Sequence, residues 1–233
     1  MFKKTPDSMR LTLRALARLL AYPDAELRAQ MPSLIDALRA EQVLPADRVA
    51  ELEALVQQVC AMDPYEAEAR YVETFDRGRQ TSLHLFEHIH GDSRERGPAL
   101  VDLTQTYEKA GLFLDAQELP DHLGVVLEFA STQPTPVARE FLAEMAHILN
   151  ALFTALDTKA SPYASVIAAV LEAAGEKAQA VAITPEPDMD EAWAEPEAFD
   201  GCATRGQNRP GQAQPLHFVR NARSNSSSQG VSP

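Results

Sequence analysis

Cysteine is almost absent from this chain, with Cys60 and Cys202 the only two among 233 residues. A pair so placed builds no disulfide framework and lacks the clustered spacing of a four-ligand zinc site, so a reducing, cytoplasmic setting is the expectation. Long apolar runs are missing as well. The longest charge-free candidates, Ala146–Leu156 and Ser161–Leu171, fall short of the roughly 18 residues that a spanning helix needs, which excludes direct insertion into a membrane. The opening Met1-Phe2-Lys3-Lys4 is followed by an apolar stretch broken at Arg14 and Arg18, so no export signal is read there. Basic charge is scarce: 21 Lys and Arg face 34 Asp and Glu, a net charge of -13, and a nucleic-acid partner would be bound against general repulsion. No Walker loop, G-x-G-x-x-G or G-x-S-x-G occurs, which leaves nucleotide binding and serine nucleophile chemistry without support.

What is present is helical periodicity. Leu13, Leu16, Leu19 and Leu20 form one apolar stripe, Val49, Leu52, Val56 and Val59 a second, and Val166, Ile167, Val170, Leu171 and Ala174 a third. Phe141, Leu142, Met145, Ile148, Leu149, Leu152, Phe153 and Leu156 read as a single long core helix. Cys60 lies on the second apolar helix stripe, where a thiol is expected to be a small core residue. Asp63-Pro64-Tyr65-Glu66 and Asp92-Ser93-Arg94-Glu95 offer an N-cap acid with a glutamate three residues on, and Thr135-Pro136 and Ser161-Pro162 mark further helix starts. Gly91, Gly111 and Gly175 fall where stripes stop, as left-handed caps require. The run Phe75–Ser82 reads as a loop. No period-2 stretch competes, so the expectation is an all-α fold, a single bundle of about eight helices without a fixed repeat.

Composition changes near Ile183. Positions 184–233 hold 6 Pro, 4 Gly and 5 Ser; Thr184–Asp200 carries seven acids and no base, and Gly201–Pro233 four arginines and no acid. The chain therefore divides into a helical domain, 1–183, and a low-complexity tail, 184–233, expected to be disordered.

The densest group of ligand-type side chains is His84-Leu85-Phe86-Glu87-His88-Ile89-His90-Gly91-Asp92. Read as one helix, it sets His84 and His88 four apart on one face, and H-L-F-E-H fits the H-x-x-E-H pattern of inverted zinc proteases. A zinc-dependent hydrolase on residues 84–88 is thus the alternative reading; five positions with two free arise easily by chance, and no third ligand is apparent. His122 stands at a helix start after Asp121, which can cap free N–H groups there. If unperturbed, His88, His90 and His122 would gain charge near pH 6.5 and weaken attraction for a basic partner.

Four strings carry a resemblance: Tyr71-Val72-Glu73-Thr74-Phe75-Asp76-Arg77-Gly78-Arg79; Phe86-Glu87-His88-Ile89-His90-Gly91-Asp92-Ser93-Arg94-Glu95-Arg96-Gly97; Val101-Asp102-Leu103; and Glu118-Leu119-Pro120-Asp121-His122-Leu123. Leu19-Leu20-Ala21-Tyr22-Pro23-Asp24, Met62-Asp63-Pro64 and Leu127-Glu128-Phe129 flank them in order. Over residues 9–183 the chain resembles the NarJ family of respiratory nitrate reductase assembly chaperones. At His84 the family carries an apolar residue, a departure that weakens the zinc reading.

The resemblance implies a TorD-like all-helical chaperone, not an enzyme and with no cofactor of its own. Its implied partner is the catalytic subunit of respiratory nitrate reductase, held by its N-terminal segment until molybdenum cofactor and iron-sulfur clusters are inserted, with transient contact to the cofactor-delivery machinery. An apolar helical groove with acidic borders suits a basic amphipathic peptide. The expected groove residues are Tyr71, Phe75, Leu83, Phe86, Leu123, Val126 and Phe129, with Glu87, His88, Asp121, His122 and Glu128 around them. Arg94 and Arg96 are expected to brace the bundle through carboxylates such as Asp92 or Asp102.

Overall fold

A computed structural model describes residues 8–91, 93–115 and 118–183. The helices are α1 (Arg10–Leu19), α2 (Ala25–Glu41), α3 (Ala46–Ala61), α4 (Pro64–Phe75), α5 (Leu85–His90), α6 (Arg96–Lys109), α7 (Leu123–Thr132), α8 (Thr135–Glu144), α9 (Ala146–Thr158) and α10 (Ala164–Ala174), with a 3-10 turn at Arg79–Thr81. No strand occurs among the described residues, and the all-α expectation holds with ten helices in place of about eight. The expected tail, 184–233, lies outside the described residues.

The core gathers on α1 and α10. Helix α10 buries nine of its eleven residues, the pattern of a helix apolar on every side and surrounded by others. Ala168, Ala169, Ala173 and Ala174 keep its surface low, so α3, α8, α9 and α1 all pack close to it. Helix α1 lays Leu13, Leu16 and Leu19 between α2 and α7. Each such leucine removed from water contributes about 1.5–3 kcal/mol.

Capping is partly local and partly borrowed. Asp63 accepts the Tyr65 N–H at 3.0 Å, as its sequence position predicts, and Asp24 accepts that of Leu27 at 2.7 Å. Helix α1 has Met9 at its N-cap with no capping side chain. Glu41, at the far end of α2, supplies the cap: its carboxylate accepts N–H groups of Leu11 at 3.2 Å and Thr12 at 2.7 Å, and the Ser8 hydroxyl at 2.7 Å. Burial alone would push this carboxyl up, but the donors outweigh it and hold Glu41 below the usual range.

Three expectations change. The stripe from Phe141 to Leu156 belongs to two helices that part at Met145, since apolar spacing runs unbroken across a turn that the backbone does not keep helical. Cys60 is exposed, one position off the buried face of α3, with Sγ 3.6 Å from the Arg28 carbonyl. Helix α6 starts at Arg96 without a side-chain cap; Asp92, the acid expected to cap it, lies outside the described residues. Gly91, Gly111 and Gly175 do take positive φ, at 52°, 80° and 94°.

Candidate functional site

The two densest sequence motifs meet where α5 and α7 begin. The Leu123 N–H donates to the Leu83 carbonyl at 2.8 Å and the Leu85 N–H to the Asp121 carbonyl at 3.0 Å, an antiparallel bridge that pairs His84 with His122. Each helix start is capped across or beside this bridge. His122 caps its own helix, its Nδ1 accepting the Gly124 N–H at 3.2 Å. Asp121, expected to cap the same helix, instead reaches α5: its Oδ2 accepts the Phe86 N–H at 3.1 Å.

Asp121 is fully buried, so its charge must be compensated. Arg96 places Nη2 at 3.7 Å from Oδ2 and Nη1 at 3.1 Å from Glu87 Oε1. His84 Nδ1 lies 3.5 Å from Asp121 Oδ1, too long for a firm hydrogen bond and close enough for attraction once the ring is protonated. Burial would raise the Asp121 pKa, but His84, the Phe86 N–H and Arg96 together hold it below the ordinary carboxylate value. Asp121 in turn raises His84, while burial and the neighbouring His84 push His122 down. The His84 and His122 rings stand 5.3 Å apart, edge to face. His122 therefore leaves the trio expected to gain charge near pH 6.5.

This geometry overturns the zinc reading. His84 is the extended residue before α5, not a member of the helix, so it does not share a face with His88. It turns to Asp121, whereas His88 Nε2 sits 2.9 Å from the Ser82 carbonyl, with the ring N–H as donor. No group of three His, Cys, Asp or Glu that could hold a metal occurs among the described residues.

The expected groove residues separate into two groups. Tyr71, Phe75, Leu83, Leu123, Val126 and Phe129 are buried and form packing rather than a surface. Tyr71 and Phe75 join Tyr163 in an aromatic cluster at centroid distances of 4.9–6.1 Å, and the Tyr71 hydroxyl donates to the Leu20 carbonyl at 2.7 Å. Phe86, Glu87, His88 and His122 are part-exposed, and Glu128 is exposed. Arg96 does brace the bundle, through Glu87 and Asp121.

Sequence reasoning missed the apolar side chains that do face solvent here. Ile89 on α5, Val101 on α6, and Phe113 and Leu119 on the α6–α7 connection are 49%, 55%, 83% and 43% exposed. The available signal was Leu112-Phe113-Leu114, an apolar triplet after the left-handed Gly111 and outside any helical stripe. Tyr107 is buried on α6, and its hydroxyl donates to the Pro120 carbonyl at 2.8 Å and ties α6 to the start of α7.

The fold defines the class first. The chain superimposes on the crystal structure of a protein from Archaeoglobus fulgidus assigned to redox enzyme maturation, with a TM-score of 0.52 over 73% of this chain and 94% of that one; at 20% identity this establishes a shared all-helical fold. Sequence comparison then fixes the family. A profile described as "Nitrate reductase delta subunit" matches residues 23–169, and the chain belongs to that family. It is 43% identical over 164 residues, 70% of each chain, to the nitrate reductase molybdenum cofactor assembly chaperone NarJ of Escherichia coli K12. It is 35% identical over 179 residues, 77% of this chain and 74% of the other, to the NarW chaperone of the same strain.

Proposed function

We propose that this protein is an assembly chaperone for a molybdenum-containing respiratory nitrate reductase. In this reading it works in the cytoplasm, holds the catalytic subunit by its N-terminal segment while cofactor and iron-sulfur clusters are inserted, and leaves before the enzyme is complete. Support comes from the relatives' roles and from one structural observation: two of the family motifs meet at the α5–α7 junction, and α5, α6 and the α6–α7 connection carry four apolar side chains that face solvent. The binding face is Phe86, Ile89, Val101, Phe113 and Leu119, with Glu87, His88 and Glu128 as polar neighbours. Apolar anchors flanked by carboxylates match a peptide with an apolar face and basic residues.

Calorimetric titration with a peptide copying the N-terminus of the host's nitrate reductase catalytic subunit, beside a scrambled copy, tests this. Selective binding at micromolar affinity, roughly -8 kcal/mol, is expected, weakened about tenfold or more in Phe113→Asp. Equal affinity for both peptides would refute selective recognition of that segment.

A further inference from the structure

On another part of the bundle, a cleft of about 480 Å³ opens between α3, α4 and the 159–163 turn, sharing no residue with the α5–α7 junction. Its charged lining is Arg70, Arg77, Lys159 and Glu73, a local excess of cations in a chain whose net charge is -13. These cations are unequally engaged. Arg70 is held by Glu66 at 2.7 Å. Lys159 has only a long 3.5 Å contact with the Thr81 hydroxyl, and Arg77 has no polar partner among the described residues. The Ser161 hydroxyl, also in the lining, is buried without a hydrogen-bond partner. Its oxygen is open to a bond from outside the protein, from an ordered water or from a ligand atom in the cleft. The turn Ser161–Tyr163 leads into α10, whose Ala164, Ser165 and Val166 N–H groups are taken by the carbonyls of Ser161, Pro162 and Tyr163, so the helix start lends the cleft its dipole and no free donor. Val59, Met62, Pro162 and Tyr163 give the cleft an apolar wall.

We propose that this cleft binds a small soluble molecule bearing a phosphate or pyrophosphate group, its oxyanion held by Arg77, Lys159 and the Ser161 hydroxyl and its organic body set against the apolar wall. The Arg77 guanidinium is the fork that suits a phosphate oxygen pair, and the volume falls within the range of about 300–1,000 Å³ usual for small-ligand sites. The negative charge of the rest of the chain repels polyanions and anionic bilayers, which favours a compact ligand over an extended one.

The test uses the full chain with inorganic pyrophosphate as the probe and potassium chloride of matched ionic strength as the control. Saturable binding is expected, with a rise in melting temperature of roughly 3–5 °C at ten times Kd. Arg77→Ala and Lys159→Ala should each weaken it about tenfold or more, while Arg14→Ala, on the exposed side of α1, should leave it unchanged. No saturable binding at millimolar pyrophosphate would overturn the proposal. So would binding that survives the Arg77→Ala, Lys159→Ala double variant, or that falls equally in Arg14→Ala. A second arm adds vesicles of phosphatidylglycerol in phosphatidylcholine: sedimentation with them that depends on Arg77 would assign the cations to a lipid headgroup and overturn the soluble ligand.

Discussion

Helices α10 and α6 show two ways of belonging to the same protein. The eleven residues of α10 bury nine side chains, whereas the fourteen of α6 bury two, Leu103 and Tyr107. Helix α6 rests on a small separate cluster completed by Phe129 and on polar ties, Arg96 to Glu87 and Asp121, and Tyr107 to Pro120. Dispersed apolar contacts fix α10 in place, and a few directional bonds position α6. Segments with little buried apolar area open at lower free energy than the core, and here that segment carries the exposed Val101 and leads to Phe113. The family motifs are densest on the thinly held side, which suits a surface that must take up a client and release it.

The comparison breaks most sharply by core truncation. Leu171→Ala, fully buried on α10, should destabilise the whole fold by about 2–5 kcal/mol, read as a shifted urea midpoint. Val101→Ala, exposed on α6, should stay within about 0.5 kcal/mol.

Asp121→Ala should cost about 3 kcal/mol, because it strands the Phe86 N–H and leaves Arg96 with Glu87 alone. Its effect should be concentrated on α5 and α6, seen as hydrogen exchange that accelerates there before it does in α10. Tyr107→Phe keeps the ring and removes one bond to the Pro120 carbonyl, a loss of about 1 kcal/mol.

Smaller still is the pH dependence. Asp121 is held below its ordinary pKa, so its contribution is complete above about pH 4 and is lost as pH falls further. His84 is raised, so its contribution is complete below about pH 6.5 and is lost as pH rises through its folded value. His122 is lowered, so the fold binds fewer protons there and loses stability as pH falls from about 6.5 towards its folded value. His122→Asn keeps an N-cap acceptor and removes that titration; its urea midpoint should fall less than wild type's between pH 6.5 and 5.

Much of this architecture is legible in the sequence, because α1, α3, α9 and α10 each announce their buried face through apolar spacing. What is not legible depends on partners distant along the chain. Glu41 caps a helix some thirty residues before it, and Asp121 caps α5 rather than the helix it precedes; no local rule links those positions. The expected groove divides into buried and exposed members for a related reason. Leu123 and Val126 fall within or beside the recognisable strings, yet they follow the same helical spacing as Leu127 and Ala130 and are core for that reason. Resemblance marks where a family is constrained, and only burial separates a surface from its support.

The most direct measurement is hydrogen exchange of the full chain with and without the client's N-terminal peptide. The account predicts that α5, α6 and residues 111–115 exchange faster than α1 and α10 in the free protein and slow on binding. Protection confined to α2 and α3, or an α6 that exchanges as slowly as α10 in the free chain, would contradict it.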